Sequence, residues 1–194
     1  MITDYKGYRI TVQYETDPLN PREWDNFGTM VCFHNKYKLG DVHDFNKDDY
    51  NSWNEVRDAI KERGGVIILP LGLYDHSGIT MYIGDSHDRW DGGQVGFIYC
   101  TAEDMAKEGI IDLEKAEELL RGEVRTYDKY LVGDICEYRI EENRKACSCG
   151  ECMEWQIIDS CGGWNTSDEA LNEAKAIVDS YSKVYTQPQE IKEG

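Results

Sequence analysis

Residues 73–99 read LYDHSGITMYIGDSHDRWDGGQVGFIY and crowd Asp75, His76, Ser77, Asp85, His87, Asp88 and Asp91 among glycines and aromatic side chains. Acid–base chemistry uses such groups, because an imidazole near neutrality can move a proton when a carboxylate orients it. Adjacency does not make a triad, which is defined by geometry in space. No G-x-S-x-G elbow is present, and His34, His43, His76 and His87 form neither an H-E-x-x-H nor an H-x-H pair. Two readings stay open. Asp75, His76 and the Trp90-Asp91 turn could serve a hydrolase or a nucleotide-modifying enzyme. Alternatively, Asp75-His76-Ser77 ends a strand and bonds to its own backbone before Gly78 turns the chain. The glycines of WDGGQVGFIY do not make a phosphate loop, since G-x-x-x-x-G-K-[ST] is missing and a strand follows them. Asp-Gly-Gly before an alternating run reads as a hairpin turn.

The second chemical candidate is the run CSCGEC, with Cys147, Cys149 and Cys152 inside six positions. Thiolates there, joined by Cys161 or Cys136 across a hairpin, could supply the four soft ligands of one structural zinc. The other reading is a surface loop of reduced thiols. Seven cysteines, an odd number, argue for thiols or a metal rather than a disulfide framework. Cys32 and Cys100 lie in apolar runs and read as small core residues. A thioredoxin-like role fits poorly, because such a C-x-x-C opens a helix after a strand.

The elements that must position these residues alternate without a regular βα repeat. Residues 8–16 and 28–37 read as strands, with Pro18 and Pro21 turning the chain between them. Ser52 and Glu55 have capping-box spacing, Trp53, Val56 and Ile60 share a helical face, and Gly64-Gly65 stops the helix. Residues 66–74, 79–85 and 94–101 then read as three strands, Pro70 marking a bulge or an edge. A long amphipathic helix over 112–131 turns Leu113, Ala116, Leu120, Val124, Tyr127 and Leu131 inward. Residues 135–142 and 153–159 form the arms of a hairpin. A last helix, capped by Thr166 and Glu169, buries Leu171, Ala174, Val178, Tyr181 and Tyr185. The expected fold is α+β, a mainly antiparallel sheet with about three helices packed on it. Residues 1–185 are expected to form one domain with a cysteine-rich hairpin insertion at 143–153, and 186–194 a disordered tail.

Charge narrows the partners. Lys and Arg number 21 against 38 Asp and Glu, a formal net charge of −17. That potential disfavours direct contact with nucleic acid or an anionic membrane and favours a basic protein surface, including one that normally holds DNA or RNA. No run of eighteen apolar residues exists and the first residues lack a signal-peptide core, so a cytoplasmic protein without a membrane span is expected.

DNFGTMVCFHNKYKLGD (25–41), LPLGLYDHSGITM (69–81), WDGGQVGFIY (90–99), GEVRTYDKYLVGDICEYRIE (122–141) and DSCGGW (159–164) together resemble a family of small acidic proteins carried by bacteriophages and other bacterial mobile elements. Where those relatives carry bulky aromatics after Asp-Ser-Cys, this chain has Gly162-Gly163-Trp164, and the CSCGEC run looks like an elaboration on the family pattern. The resemblance carries over no catalytic residues. By analogy of class it implies an anti-defence protein, such as an anti-CRISPR or antirestriction inhibitor, acting in the host cytoplasm. The expectation is a non-enzymatic inhibitor of a Cas9-like CRISPR effector or another defence ribonucleoprotein. A phage accessory protein that merely assembles with others is a further alternative. The surface expected to bind is acidic: Glu114, Glu117, Glu118 and Asp128 on the long helix, and Asp168, Glu169, Glu173 and Asp179 on the last. Carboxylates on a rigid helix can stand in for phosphates along a basic groove.

Overall fold

A computed structural model describes residues 1–76, 78–84, 92–146 and 152–184. The elements are β1 (Ile2–Tyr5), β2 (Tyr8–Tyr14), β3 (Thr29–Cys32), α1 (Trp53–Glu62), β4 (Gly65–Asp75), β5 (Ile79–Ile83), β6 (Gly92–Thr101), α2 (Ala102–Lys107), α3 (Leu113–Val132), β7 (Cys136–Lys145), β8 (Met153–Trp164) and α4 (Ser167–Val184), with short 3-10 turns at Pro21–Glu23 and Lys47–Asp49. The fold is α+β with antiparallel sheets and three long helices. The strands make two sheets rather than one, and contacts divide the chain into two compact units, Met1–Pro18 with Gly133–Gly194, and Leu19–Val132. The expected tail, 186–194, lies outside the described residues.

In the Leu19–Val132 unit the strand order is β3-β6-β4-β5, all antiparallel. Alternation along the strands gives the sheet two apolar faces, and a helix covers each. Ala116, Leu120, Val124 and Tyr127 of α3 meet Met30, Leu71, Leu73, Met81 and Ile98 on one side. On the other, Val56 and Ile60 of α1 meet Val31, Phe97 and Tyr99. Leu113, expected inward, is 55 % exposed, because it lies in the first turn, before the stripe reaches the sheet. Pro70 sits in a central strand without harm: the β4–β5 ladder begins one residue later, at Leu71↔Ile83, and a register shift follows at Leu71/Gly72. Gly96 lies opposite Cys32 in the β3–β6 ladder. A Cβ there would stand 1.9 Å from the Val31 carbonyl oxygen.

In the other unit the order is β1-β2-β7-β8, with α4 across one face. Ile10, Val12, Cys136, Tyr138 and Ile140 alternate inward against Ala170, Ala174 and Val178. The Thr166 hydroxyl accepts the Glu169 N–H at 3.2 Å and caps α4 as expected. Tyr181 donates to Asp159 at 2.9 Å, while Tyr185 lies outside the described residues.

Candidate functional site

On α3, Glu114 and Glu118 are exposed on the side away from the sheet and Glu117 is half-buried on its flank, because residues 116, 120 and 124 fix which side is buried. With Asp112, Lys115 and Arg121 they line one shallow depression. Asp112 accepts the Glu114 N–H at 2.9 Å, so a carboxylate sits at the positive end of the helix. Glu117 is bonded to Arg121 through Nε at 2.9 Å and Nη2 at 2.7 Å, an i,i+4 pair on an exposed face.

Asp128 does not belong to that face. Its Oδ1 accepts the N–H of buried Met81 in β5 at 2.7 Å, and the residue is half-buried. Burial holds its carboxyl above the usual aspartate value, against the opposing pull of the Met81 N–H and of Lys129. Asp128 therefore secures the edge strand. On α4, Asp168, Glu169 and Glu173 are exposed, whereas Asp179 is half-buried and takes Lys6 Nζ at 2.7 Å.

Asp75 ends β4, and its carboxylate accepts from Tyr37 Oη at 3.3 Å and Lys36 Nζ at 3.4 Å. The His76 N–H donates to the Gly78 carbonyl at 3.0 Å in a tight turn. Ser77 and residues 85–91, including Asp85, His87, Asp88, Trp90 and Asp91, lie outside the described residues. His34 lies in the segment after β3. Its Nδ1 accepts the backbone N–H groups of Lys36 and Tyr37 at 3.2 and 3.1 Å, which leaves the ring proton on Nε2, and it stacks on Tyr37 at 5.1 Å. His34 and Asp75 line a groove of about 340 Å³ with Phe33, Asn35, Lys47, Trp53 and Gln94. A second hollow of about 320 Å³ adjoins it, sharing Phe33, Lys47 and Trp53 and adding Tyr50 and Asn51. Aromatic faces with amide and imidazole donors can hold a ligand. Among the described residues that line the groove, the carboxylate is that of Asp75, which is already bonded to Lys36 and Tyr37.

Sequence reasoning did not find the charged cluster at Arg22. This side chain is 2 % exposed, bonded to Asp41 through Nε and Nη2 at 2.7 Å each, to Glu123 through Nη1 at 2.8 Å and to the Gly28 carbonyl at 2.7 Å. Burial lowers the guanidinium pKa, but the hydrogen bonds and charges of Asp41 and then Glu123 outweigh it, so the net shift is upward. Glu123 also accepts the Phe27 N–H at 2.6 Å and Asp41 the Met30 N–H at 2.7 Å. Such bidentate pairing ties the 20–41 segment to α3. No local pattern marks it, because its partners lie 19 and 101 residues away.

Cys32 and Cys100 are buried, as expected, and burial pushes the Cys32 thiol up to about 12. Cys152 and Cys161 are exposed, while Cys147 and Cys149 lie outside the described residues. The β7–β8 ladder pairs Lys145 with Met153 beside Cys152, but Tyr138 with Cys161 and Cys136 with Trp164. With a rise of about 3.3 Å per residue, the strand holds Cys161 roughly 25–30 Å from Cys152. Neither Cys161 nor Cys136 can then close a four-thiolate set with Cys152. Among the described residues no group of three or more His, Cys, Asp or Glu is arranged to hold a metal ion, and no helix is long and apolar enough to cross a membrane. Comparison of the chain with protein-family models, curated proteins and solved structures finds no match.

Proposed function

We propose that this chain is a non-catalytic anti-defence protein of a phage or mobile element that binds the nucleic-acid channel of a bacterial defence complex, in its sharpest form a Cas9-like effector, through acidic helix faces. One observation carries the reading: Glu114 and Glu118 stand exposed on α3, with half-buried Glu117 beside them, on a chain of net charge −17. A rigid row of carboxylates meets a channel built for phosphates with complementary charge and gains rapid, salt-sensitive association. Asp168, Glu169 and Glu173 on α4 supply a second exposed acidic face of the same kind. Asp128 drops out of the binding set, since its carboxylate holds the Met81 N–H, and Asp179 and Glu117 contribute less than the others, being half-buried and paired with Lys6 and Arg121.

The test is cleavage of target DNA by purified guide-loaded effectors and restriction nucleases, with and without the chain. Wild-type protein should protect the target for at least one of them, and Glu114→Lys/Glu117→Lys/Glu118→Lys should lose that protection while remaining folded. Protection should survive Asp75→Ala and His76→Ala; its loss in either folded variant would favour an enzyme centred on that turn.

A further inference from the structure

We propose that the cleft between the Pro21–Glu23 turn and α3 is where two copies of this chain pair about a twofold axis, their α3 helices crossing antiparallel at Gly122. The cleft holds about 490 Å³ and is lined by Leu119, Gly122 and Thr126 of α3 and by Trp24. Two large apolar side chains stay open there, Trp24 at 50 % and Leu119 at 39 % exposed. Gly122 lies in the interior of a twenty-residue helix, where glycine is less favourable than alanine. Its own fold does not require it: a Cβ would meet nothing nearer than Arg125 Nη2 at 3.8 Å. A bare backbone at that point lets another helix approach to the short end of the usual 8–10 Å range, on the order of side-chain-free contact.

The charges identify the occupant. Glu118 precedes Gly122 by one turn and Arg125 follows it by nearly one, and both are exposed. Neither has an ion pair among the described residues, in contrast to Glu117 and Arg121 beside them. A twofold contact must be self-complementary, and an antiparallel copy centred on Gly122 sets each Glu118 against the other's Arg125. A uniformly basic or acidic partner would satisfy one of these signs and oppose the other. Glu118 belongs both to the proposed acidic face and to this contact, whereas Gly122 and Arg125 belong to the contact alone, so Gly122→Leu and Arg125→Glu report on pairing separately from the anti-defence reading.

Sedimentation velocity of the full chain over a wide concentration range tests it. A reversible monomer–dimer equilibrium is expected. Gly122→Leu and Arg125→Glu should each weaken it roughly tenfold or more, with helical circular dichroism and Tm no lower than wild type. Glu118→Arg should weaken it likewise, and Glu118→Arg/Arg125→Glu should restore it. A chain that stays monomeric throughout, a dimer indifferent to these substitutions, or a double variant that fails to recover would each overturn the proposal.

Discussion

Single side chains in this protein do structural work that their types alone do not announce. Arg22 is the clearest case, since removing it would leave Asp41 and Glu123 facing each other partly buried and uncompensated. Arg22→Ala should lower stability by about 3–5 kcal/mol in chemical denaturation. Asp128 makes a subtler prediction. Burial raises its carboxyl pKa, so the folded chain binds that proton at higher pH than the unfolded chain does. Stability from this group therefore falls as pH rises from the ordinary aspartate value through the raised one. Asp128→Asn, which keeps an oxygen for Met81, should match or exceed wild-type Tm at neutral pH, with any advantage shrinking on acidification. Asp128→Ala strands a buried N–H and should cost about 1–3 kcal/mol. The thiols should separate by burial. A small maleimide at mildly alkaline pH should label Cys152 and Cys161 rapidly and leave Cys32 untouched until the chain unfolds, as its thiol is pushed up to about 12.

At the scale of elements, periodicity made the long pieces legible and left the pairing between them unread. Val56 with Ile60, and Ala116 with Leu120 and Val124, announced α1 and α3 because a helix repeats its buried side every three or four residues. The six-residue α2 was missed: it carries one buried side chain, Met105, too few to show a period, although Thr101 and Asp104 form a capping box. Two sheets appeared where one was expected, since alternation reveals that a strand is half-buried but not which strand it joins. That choice rests on distant contacts, such as Gly96 against Val31. Gly96→Ala should drive a methyl into the Val31 carbonyl and lower stability by more than about 2 kcal/mol, read as an earlier denaturation midpoint with an unchanged slope. The same limit applied at the candidate groove. Lys36 and Tyr37 reach Asp75 from 39 and 38 residues upstream, partners that the local string DHS could not announce, whereas its turn, His76 N–H to the Gly78 carbonyl, was open to local reading.

Across the whole molecule, charge is the property most plainly written in the sequence and the one on which the functional reading rests. A net charge of −17 repels nucleic acid and draws the chain toward basic surfaces, with a reach set by a screening length of about 8 Å at physiological ionic strength. Which carboxylates are available could be read only in part. Helical spacing placed Glu114 and Glu118 outward, but it could not foresee that Glu117 is half-buried and paired with Arg121, that Asp128 serves Met81 or that Asp179 holds Lys6. The most direct measurement is competition between this chain and target DNA for a guide-loaded Cas9-type effector, followed at low and high salt. The account predicts that wild-type chain displaces DNA, that displacement weakens as salt rises, and that Glu114→Lys/Glu117→Lys/Glu118→Lys binds poorly with a flatter salt dependence. Simultaneous binding of chain and DNA, or a folded triple variant that competes as well as wild type, would contradict it.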